Sequence, residues 1–217
     1  IHNCPALSDT DCTIRILKEL GCRVVRSGST VTVENTSDDV FEIPETLMRE
    51  MRSSVVFLGA ILGKCGKAVI STPGGCEIGL RPIDLHLYAV RRLGVTVDDN
   101  YGKLVCSANN GLKGAKVTFS FPSVGATENA VLTAVKAKGI TTIVNCAREP
   151  EIIDLCDFLN KCGADIKGAG ESIITVQGVN TLYGCEHNVI CDRIAAATYL
   201  TAAAVTGGDV EICNTVP

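Results

Sequence analysis

No Cys-x-x-Cys pair occurs in the 217 residues, tryptophan is absent, and aromatic residues make up only 4% of the chain. The lack of paired cysteines removes the common structural zinc and dithiol motifs. The scarcity of aromatic rings means that the core must be built from aliphatic side chains. Long apolar runs are also missing: stretches such as 55–62 fall far short of the roughly 20 residues that cross a bilayer, so no membrane span is expected. Lysine and arginine number 20 against 24 aspartates and glutamates, for a net charge of −4, and the basic residues are scattered. That distribution leaves no footprint for nucleic acid, so an anionic ligand has to be met by a local arrangement. Nothing at Ile1 resembles a signal peptide. The chain opens on isoleucine rather than methionine, as expected of a fragment.

What is present is a globular composition, with 46% hydrophobic and 20% charged residues. A chain of this size buries roughly 70% of its unfolded surface, so the core needs no disulfide staples. The twelve cysteines read mostly as small core residues in a reducing compartment. Cys185, His187 and Cys191 cluster in sequence, but their spacing matches no structural zinc pattern, so no metal is expected and the three are assigned to packing.

The chain repeats itself. A helix ending in Leu-Gly or Cys-Gly and followed by a hairpin occurs three times, with marker glycines Gly21, Gly94 and Gly163, 73 and 69 residues apart. An apolar helix closed by a glycine and followed by a strand recurs with Gly66, Gly139 and Gly208, at the same two offsets. The helices around 10–20, 83–93 and 152–162 carry charge on one face, whereas those around 53–64, 127–136 and 194–205 carry almost none and should be buried on most sides. The hairpins alternate apolar and polar residues, which suits sheets with one wet face. The expected architecture is α/β, with pseudo-threefold βαβαββ repeats, sheets outside and apolar helices inside.

Under the same offsets Ile1 corresponds to Ile143 and Ile212, so the chain begins and stops in mid-repeat. Residues 1–190 are therefore expected to form a domain of three pseudo-repeats lacking its first helix and strand, and 191–217 to be the truncated start of a second domain. The absent helix should leave a trough lined by Val55, Leu58, Leu132 and Val135. The helix at 194–205 is expected to fill that trough, in its own chain or by self-association.

The least ordinary stretch is STPGGCEIGLRPIDLH, residues 71–86. Pro73, Gly74 and Gly75 precede Cys76, and a thiol on a glycine loop is poorly placed for the core. Arg81 precedes Pro82, which forces Arg81 out of helical geometry and sets Pro82 in the first turn of a helix. A guanidinium beside a helix N-terminus is an anion site, and it lowers the pKa of a nearby thiol. These residues point to a reactive cysteine acting on an anionic substrate, with Cys76 expected to be the most accessible of the twelve thiols.

The string PGGCEIGLRPIDLH closely resembles the active-site loop of the UDP-N-acetylglucosamine 1-carboxyvinyltransferase (MurA) family. MRSSVVFLG, SVGATENAVL, AREPEIIDLCDFL and DRIAAATYLTAAA resemble the same family in the same order, so the likeness spans essentially the whole chain. The resemblance implies an enolpyruvyl transferase with the inside-out barrel fold. Its reaction moves enolpyruvyl from phosphoenolpyruvate to the 3'-hydroxyl of UDP-N-acetylglucosamine, the first committed step of bacterial peptidoglycan synthesis, in the cytoplasm and with no cofactor. By the same resemblance Cys76 is the general acid toward phosphoenolpyruvate and the target of fosfomycin-type epoxides. Arg52, Arg81, Pro82, Ile83, Asp84 and Leu85 line the substrate site, and Ser123, Val124 and Gly125 offer helix amides to the diphosphate. The 73-residue offset sets Gly125 in the same slot as Arg52. Phe121, followed by Pro122, stands where the family often has a lysine, which removes a cation from the diphosphate site.

The family also uses a Lys-Asn pair upstream of Ile1 and an aspartate base with a further arginine beyond Pro217, so this chain alone is expected to be inactive. His86 reads as a partly exposed structural histidine, and Arg148 and Glu149 receive no catalytic role. Two rival readings remain. One is the shikimate-pathway transferase, which shares the architecture without the PGGC loop; the other is a non-catalytic thiol-reactive or nucleotide-sugar-binding module.

Overall fold

The computed structural model describes residues 1–37, 39–74 and 82–215. In chain order, α1 (Ser8–Glu19) leads into the hairpin β1 (Cys22–Ser27) and β2 (Thr30–Asn35). A short α2 (Glu45–Glu50) and a 3-10 turn (Arg52–Val56) precede α3 (Phe57–Cys65) and β3 (Lys67–Ser71). Then α4 (Asp84–Arg92) is followed by β4 (Thr96–Asn100) and β5 (Lys103–Ser107). Next come β6 (Lys116–Thr118), α5 (Val124–Ala134) and β7 (Ile140–Val144), then α6 (Pro150–Lys161), β8 (Asp165–Lys167) and β9 (Ile173–Gln177), and finally α7 (Arg193–Thr206).

The repeats read from the sequence are present in this order. Each of α1, α4 and α6 buries one stripe, as in Ile152, Cys156 and Leu159 of α6, the spacing of a single helical face. Each is followed by a left-handed glycine, Gly21, Gly94 or Gly163, with φ of +81°, +94° and +97°, a conformation that lets the chain leave the helix toward its hairpin without a Cβ penalty. The second series is less regular. Gly66 caps α3 and Gly207, not Gly208, caps α7, while α5 ends at Ala134 and leaves Gly139 to the turn before β7.

Among the described residues the strands form three separate sheets. The hairpin β1–β2 stands alone, β3–β5–β4 is wholly antiparallel, and β6–β7–β9–β8 adds a parallel edge strand. Glu42 bridges Val69 in parallel fashion, so the segment before α2 occupies beside β3 the place that β6 occupies beside β7. β6 is the leading strand of the βαβαββ repeat that α5, β7, α6, β8 and β9 complete, whereas α2 was not foreseen from the sequence. Alternation is cleanest where a helix covers one face: Leu104 and Cys106 of β5, and Ile174 and Val176 of β9, point into the core.

The inner layer is α3 against α5. A Cβ on Gly59 would lie 2.6 Å from the backbone oxygen of Asn129, and one on Gly63 would lie 3.0 Å from that of Leu132. Two glycines one turn apart therefore bring the helix backbones together. This close approach overturns the expected trough, because Val55, Leu58 and Val135 are all buried. It also leaves α7 with nothing to fill. Ala196 is the sole buried residue of α7, and Ile194, Tyr199, Leu200 and Val205 are exposed, so the expected burial of this third apolar helix is not found. The strand expected after Gly208 is not found either: among the described residues none pairs with 209–213 as a strand, and a strand exists only through its partner's hydrogen bonds.

Candidate functional site

Three helix N-termini meet on one side of the α3–α5 pair. Arg52 opens the 3-10 turn that runs into α3, Ile83 and Asp84 begin α4, and Ser123, Val124 and Gly125 begin α5. The N-terminal turn of a helix presents unpaired backbone amides and a partial positive charge, so their convergence suits an anionic ligand. Ser123 caps α5, its hydroxyl accepting the Ala126 N–H at 3.4 Å, and the extended Ser123 backbone turns the chain into the helix.

One buried amide ties the three elements together. Asn129 Nδ2 donates to Val55 O at 3.0 Å and to His86 Nδ1 at 2.7 Å, while Asn129 Oδ1 accepts the Gly59 N–H at 2.6 Å. Because Nδ1 of His86 accepts, its proton sits on Nε2. The imidazole lies against Gly125, where an added Cβ would come within 2.8 Å of His86 Cε1. Burial first, and the nearby Arg52 charge second, push the His86 pKa down to about 4, so the ring is neutral at neutral pH. His86 is 6% exposed, which corrects the expected partial exposure. Asn129 was missed from the sequence, although a single amide on an apolar helix was a signal that could have found it.

Cys76 and Arg81 lie outside the described residues. The root of their loop is described. Gly74 donates its N–H to Met48 O at 3.0 Å, and a side chain on Gly74 would collide with the backbone of Arg49. The glycine after Pro73 is thus fastened to the end of α2, beside a cleft of about 440 Å³ bordered by Arg49, Tyr101 and Lys103. At the far end of the loop Pro82 is exposed, Ile83 and Leu85 are half-buried, and Asp84 is exposed in the first turn of α4.

Phe121 and Pro122 are exposed ahead of α5. Pro122 shares a cleft of about 410 Å³ with Asn145, Arg148 and Glu149, so the structure brings Arg148 to the side of the site where the sequence lacks a cation. Glu128, one turn into α5, has its carboxyl pushed up by burial and secondarily by Glu151.

The cysteines depart from the expected pattern. Among the described residues Cys12, Cys106, Cys146, Cys156 and Cys162 are buried, five others are half-buried, and Cys213 is exposed. The assignment of Cys185 and His187 to packing is incomplete too. Cys185 Sγ lies 3.3 Å from Cys162 Sγ, and His187 bridges Asp154 at 2.9 Å and Lys161 at 3.2 Å.

The family model described as EPSP synthase (3-phosphoshikimate 1-carboxyvinyltransferase) matches residues 1–217. UDP-N-acetylglucosamine 1-carboxyvinyltransferase 2 of Caldanaerobacter subterraneus subsp. tengcongensis is 49% identical over 98% of the chain and 51% of its own length. The enzyme of the same name from Endomicrobium trichonymphae is 47% identical over 100% and 52%. The chain thus spans about half the length of the curated relatives it matches. Among solved structures, the enolpyruvyl transferase NikO from Streptomyces tendae aligns with a TM-score of 0.80 at 24% identity, over 93% of this chain and 48% of that one. EPSP synthase from Acinetobacter baumannii aligns with a TM-score of 0.67 at 18% identity, over 91% and 45%. At those identities the two structures speak to the fold alone.

Proposed function

This chain belongs to the EPSP synthase family, and on that premise we propose that it supplies the cysteine-loop half of an enzyme that transfers enolpyruvyl from phosphoenolpyruvate to the 3'-hydroxyl of UDP-N-acetylglucosamine. The observation that carries this reading is the convergence of the Arg52, Asp84 and Ser123 helix starts around the buried Asn129–His86 pair. It gives two anionic substrates a common set of amides and a guanidinium. The relatives named as UDP-N-acetylglucosamine 1-carboxyvinyltransferases, at 42–49% identity, favour this acceptor over a shikimate derivative.

In the proposed reaction the Cys76 thiol protonates the methylene carbon of phosphoenolpyruvate as the sugar oxygen bonds to the adjacent carbon, the hydroxyl proton passing to a base supplied by the other half of the enzyme. Phosphate then leaves as one methyl proton returns to the Cys76 thiolate, which restores the double bond, leaves the enol ether on the sugar and regenerates the thiol. Arg81 and Arg52 balance the phosphate and carboxylate charges, and the Val124 and Gly125 amides meet the diphosphate, a use of preorganised donors that grows in value as water is excluded. Pro82, Ile83, Asp84 and Leu85 line the same site from α4. With Phe121 in place of a lysine, Ser123 and the helix amides carry more of the diphosphate. Thiol protonation of carbon requires an acid poised near the working pH.

The same reading includes a role in bacterial peptidoglycan synthesis, and hence in cell division, in the cytoplasm, with sensitivity to fosfomycin-type epoxides. No helix among the described residues is long and apolar enough to cross a membrane. A boundary near residue 190 belongs to the proposal, since the exposed apolar residues of α7 suit a helix that packs in a second unit or in self-association.

The test is a chimera in which these 217 residues replace the matching half of the Caldanaerobacter relative. Phosphate release from phosphoenolpyruvate should depend on UDP-N-acetylglucosamine and not on shikimate 3-phosphate. Epoxide labelling of Cys76 without phosphate release in a folded chimera would instead favour a thiol-reactive module.

A further inference from the structure

The end of α6 and the segment after β9 are clasped together well away from the helix N-termini described above. Tyr183 donates its backbone N–H to Cys162 O at 2.8 Å. His187 lies edge-on to Phe158, with ring centroids 5.5 Å apart, and is held between Asp154 and Lys161. Inside this clasp Cys162 Sγ and Cys185 Sγ are 3.3 Å apart, and both thiols are free. A disulfide needs its sulfurs at about 2.0 Å, so closing the bond asks for a movement of little more than an ångström, within the reach of side-chain rotation.

We propose that Cys162 and Cys185 form a dithiol site for small disulfides, which convert it to an intramolecular cross-link. The two thiols differ in the way such a reaction needs. Cys185 is half-buried and open to a reagent, whereas Cys162 is 7% exposed at the end of α6. Burial, followed by the hydrogen bond with Cys185, pushes the Cys162 thiol up to about 11, so Cys185 is the entry sulfur and Cys162 the resolving one. The Cys185 thiolate attacks one sulfur of oxidised glutathione and releases the first glutathione thiolate. Cys162, giving its proton to solvent, then attacks the Cys185 sulfur of the mixed disulfide and releases the second. Two protein thiols are oxidised and one small disulfide is reduced to two thiols.

The cross-link staples the end of α6 to the chain that runs on through His187 and Val189 toward α7. Those two residues also pair with the backbone of His2, so oxidation would fix the place where the first residues of the chain and the approach to α7 lie side by side. Neither cysteine belongs to the proposed transferase site, so this dithiol stands or falls independently of that activity.

The test is to treat the folded chain with oxidised glutathione, block remaining thiols with an alkylating reagent, and map the peptides by mass spectrometry. A peptide pair joined through Cys162 and Cys185 should appear about tenfold or more faster than in urea, because the fold holds the sulfurs at high effective concentration. Cys162→Ser should stop the reaction at a glutathione adduct on Cys185. The proposal is overturned if the cross-link forms no faster when folded. It is equally overturned if both thiols stay alkylatable while Cys213 is modified, or if the unsubstituted chain keeps glutathione on Cys185.

Discussion

Asn129 accepts the backbone N–H of Gly59 at 2.6 Å, and this single bond joins the two central helices where an added Cβ on Gly59 would lie 2.6 Å from the Asn129 backbone oxygen. The same side chain donates to Val55 and His86, so removing it strands three buried polar groups. Asn129→Ala should therefore cost about 2–4 kcal/mol, since each unmade buried hydrogen bond costs about 1–3 kcal/mol and relaxation recovers part of it. Gly59→Ala should destabilise by a similar amount, about 1–3 kcal/mol, through overpacking. Urea unfolding of the two variants checks both values.

His86 makes stability depend on pH. Its folded pKa of about 4 lies below the ordinary histidine value of 6.5, so the unfolded chain takes up a proton that the folded chain refuses. The stabilisation is complete above pH 6.5 and is lost as pH falls toward 4, by up to about 3 kcal/mol. Carboxylates titrate in part of this window, so the quantity to measure is the difference between the chain and His86→Gln. That variant should be less sensitive to acid between pH 6.5 and 4, and equal sensitivity would show that the imidazole is not held neutral.

Arg52 acts on the same ring. Its charge is the second cause of the depressed His86 pKa, so Arg52→Gln should raise that pKa, as read from the imidazole resonances in an NMR titration. In the chimera the same variant should lose turnover by about 100-fold or more, the scale at which a preorganised charge contributes to catalysis.

Thiol reactivity should follow burial. Desolvation raises Cys106 to about 11 and Cys156 to about 12, which lowers their thiolate fraction by about 100-fold or more relative to an ordinary cysteine. A brief alkylation pulse should leave both unlabelled while Cys213, which is exposed, reacts early. Cys76 should label at least as fast as Cys213. Slower labelling would remove the basis for a reactive loop thiol.

Much of this fold could be read from the sequence because its signals are local. Gly21, Gly94 and Gly163 sit at positive φ because each helix has to turn into a hairpin there, and that requirement marks the sequence whatever the tertiary context. The α3–α5 contact was not legible. Nothing local says that Gly59 faces Asn129 from 70 residues away, so the missing first helix was expected to leave a trough that this close approach in fact closes. The composition of α7 misled for a related reason: a mostly apolar helix implies a burial partner, yet the composition does not say where that partner lies. Short β6 and the bridge at Glu42 owe their extended form to the neighbouring strand rather than to their own residues. The candidate site was marked in the sequence by the motif around Cys76, which lies outside the described residues, and by the helix starts at Arg52 and Ser123. Asn129 is the lone amide on an apolar helix and so left a sequence signal, but its partners Gly59, Val55 and His86 are brought to it only by the fold.

We propose that Cys76 is the general acid of enolpyruvyl transfer. The most direct measurement is phosphate release by the chimera and by its Cys76→Ser variant, with phosphoenolpyruvate and UDP-N-acetylglucosamine both present and folding confirmed by circular dichroism. Turnover is expected in the parent, with a loss of about 1,000-fold on removing the general acid, within the usual range for such groups. Turnover in the variant within about threefold of the parent would contradict it, because at a general-acid position that ratio corresponds to less than 1 kcal/mol of transition-state stabilisation.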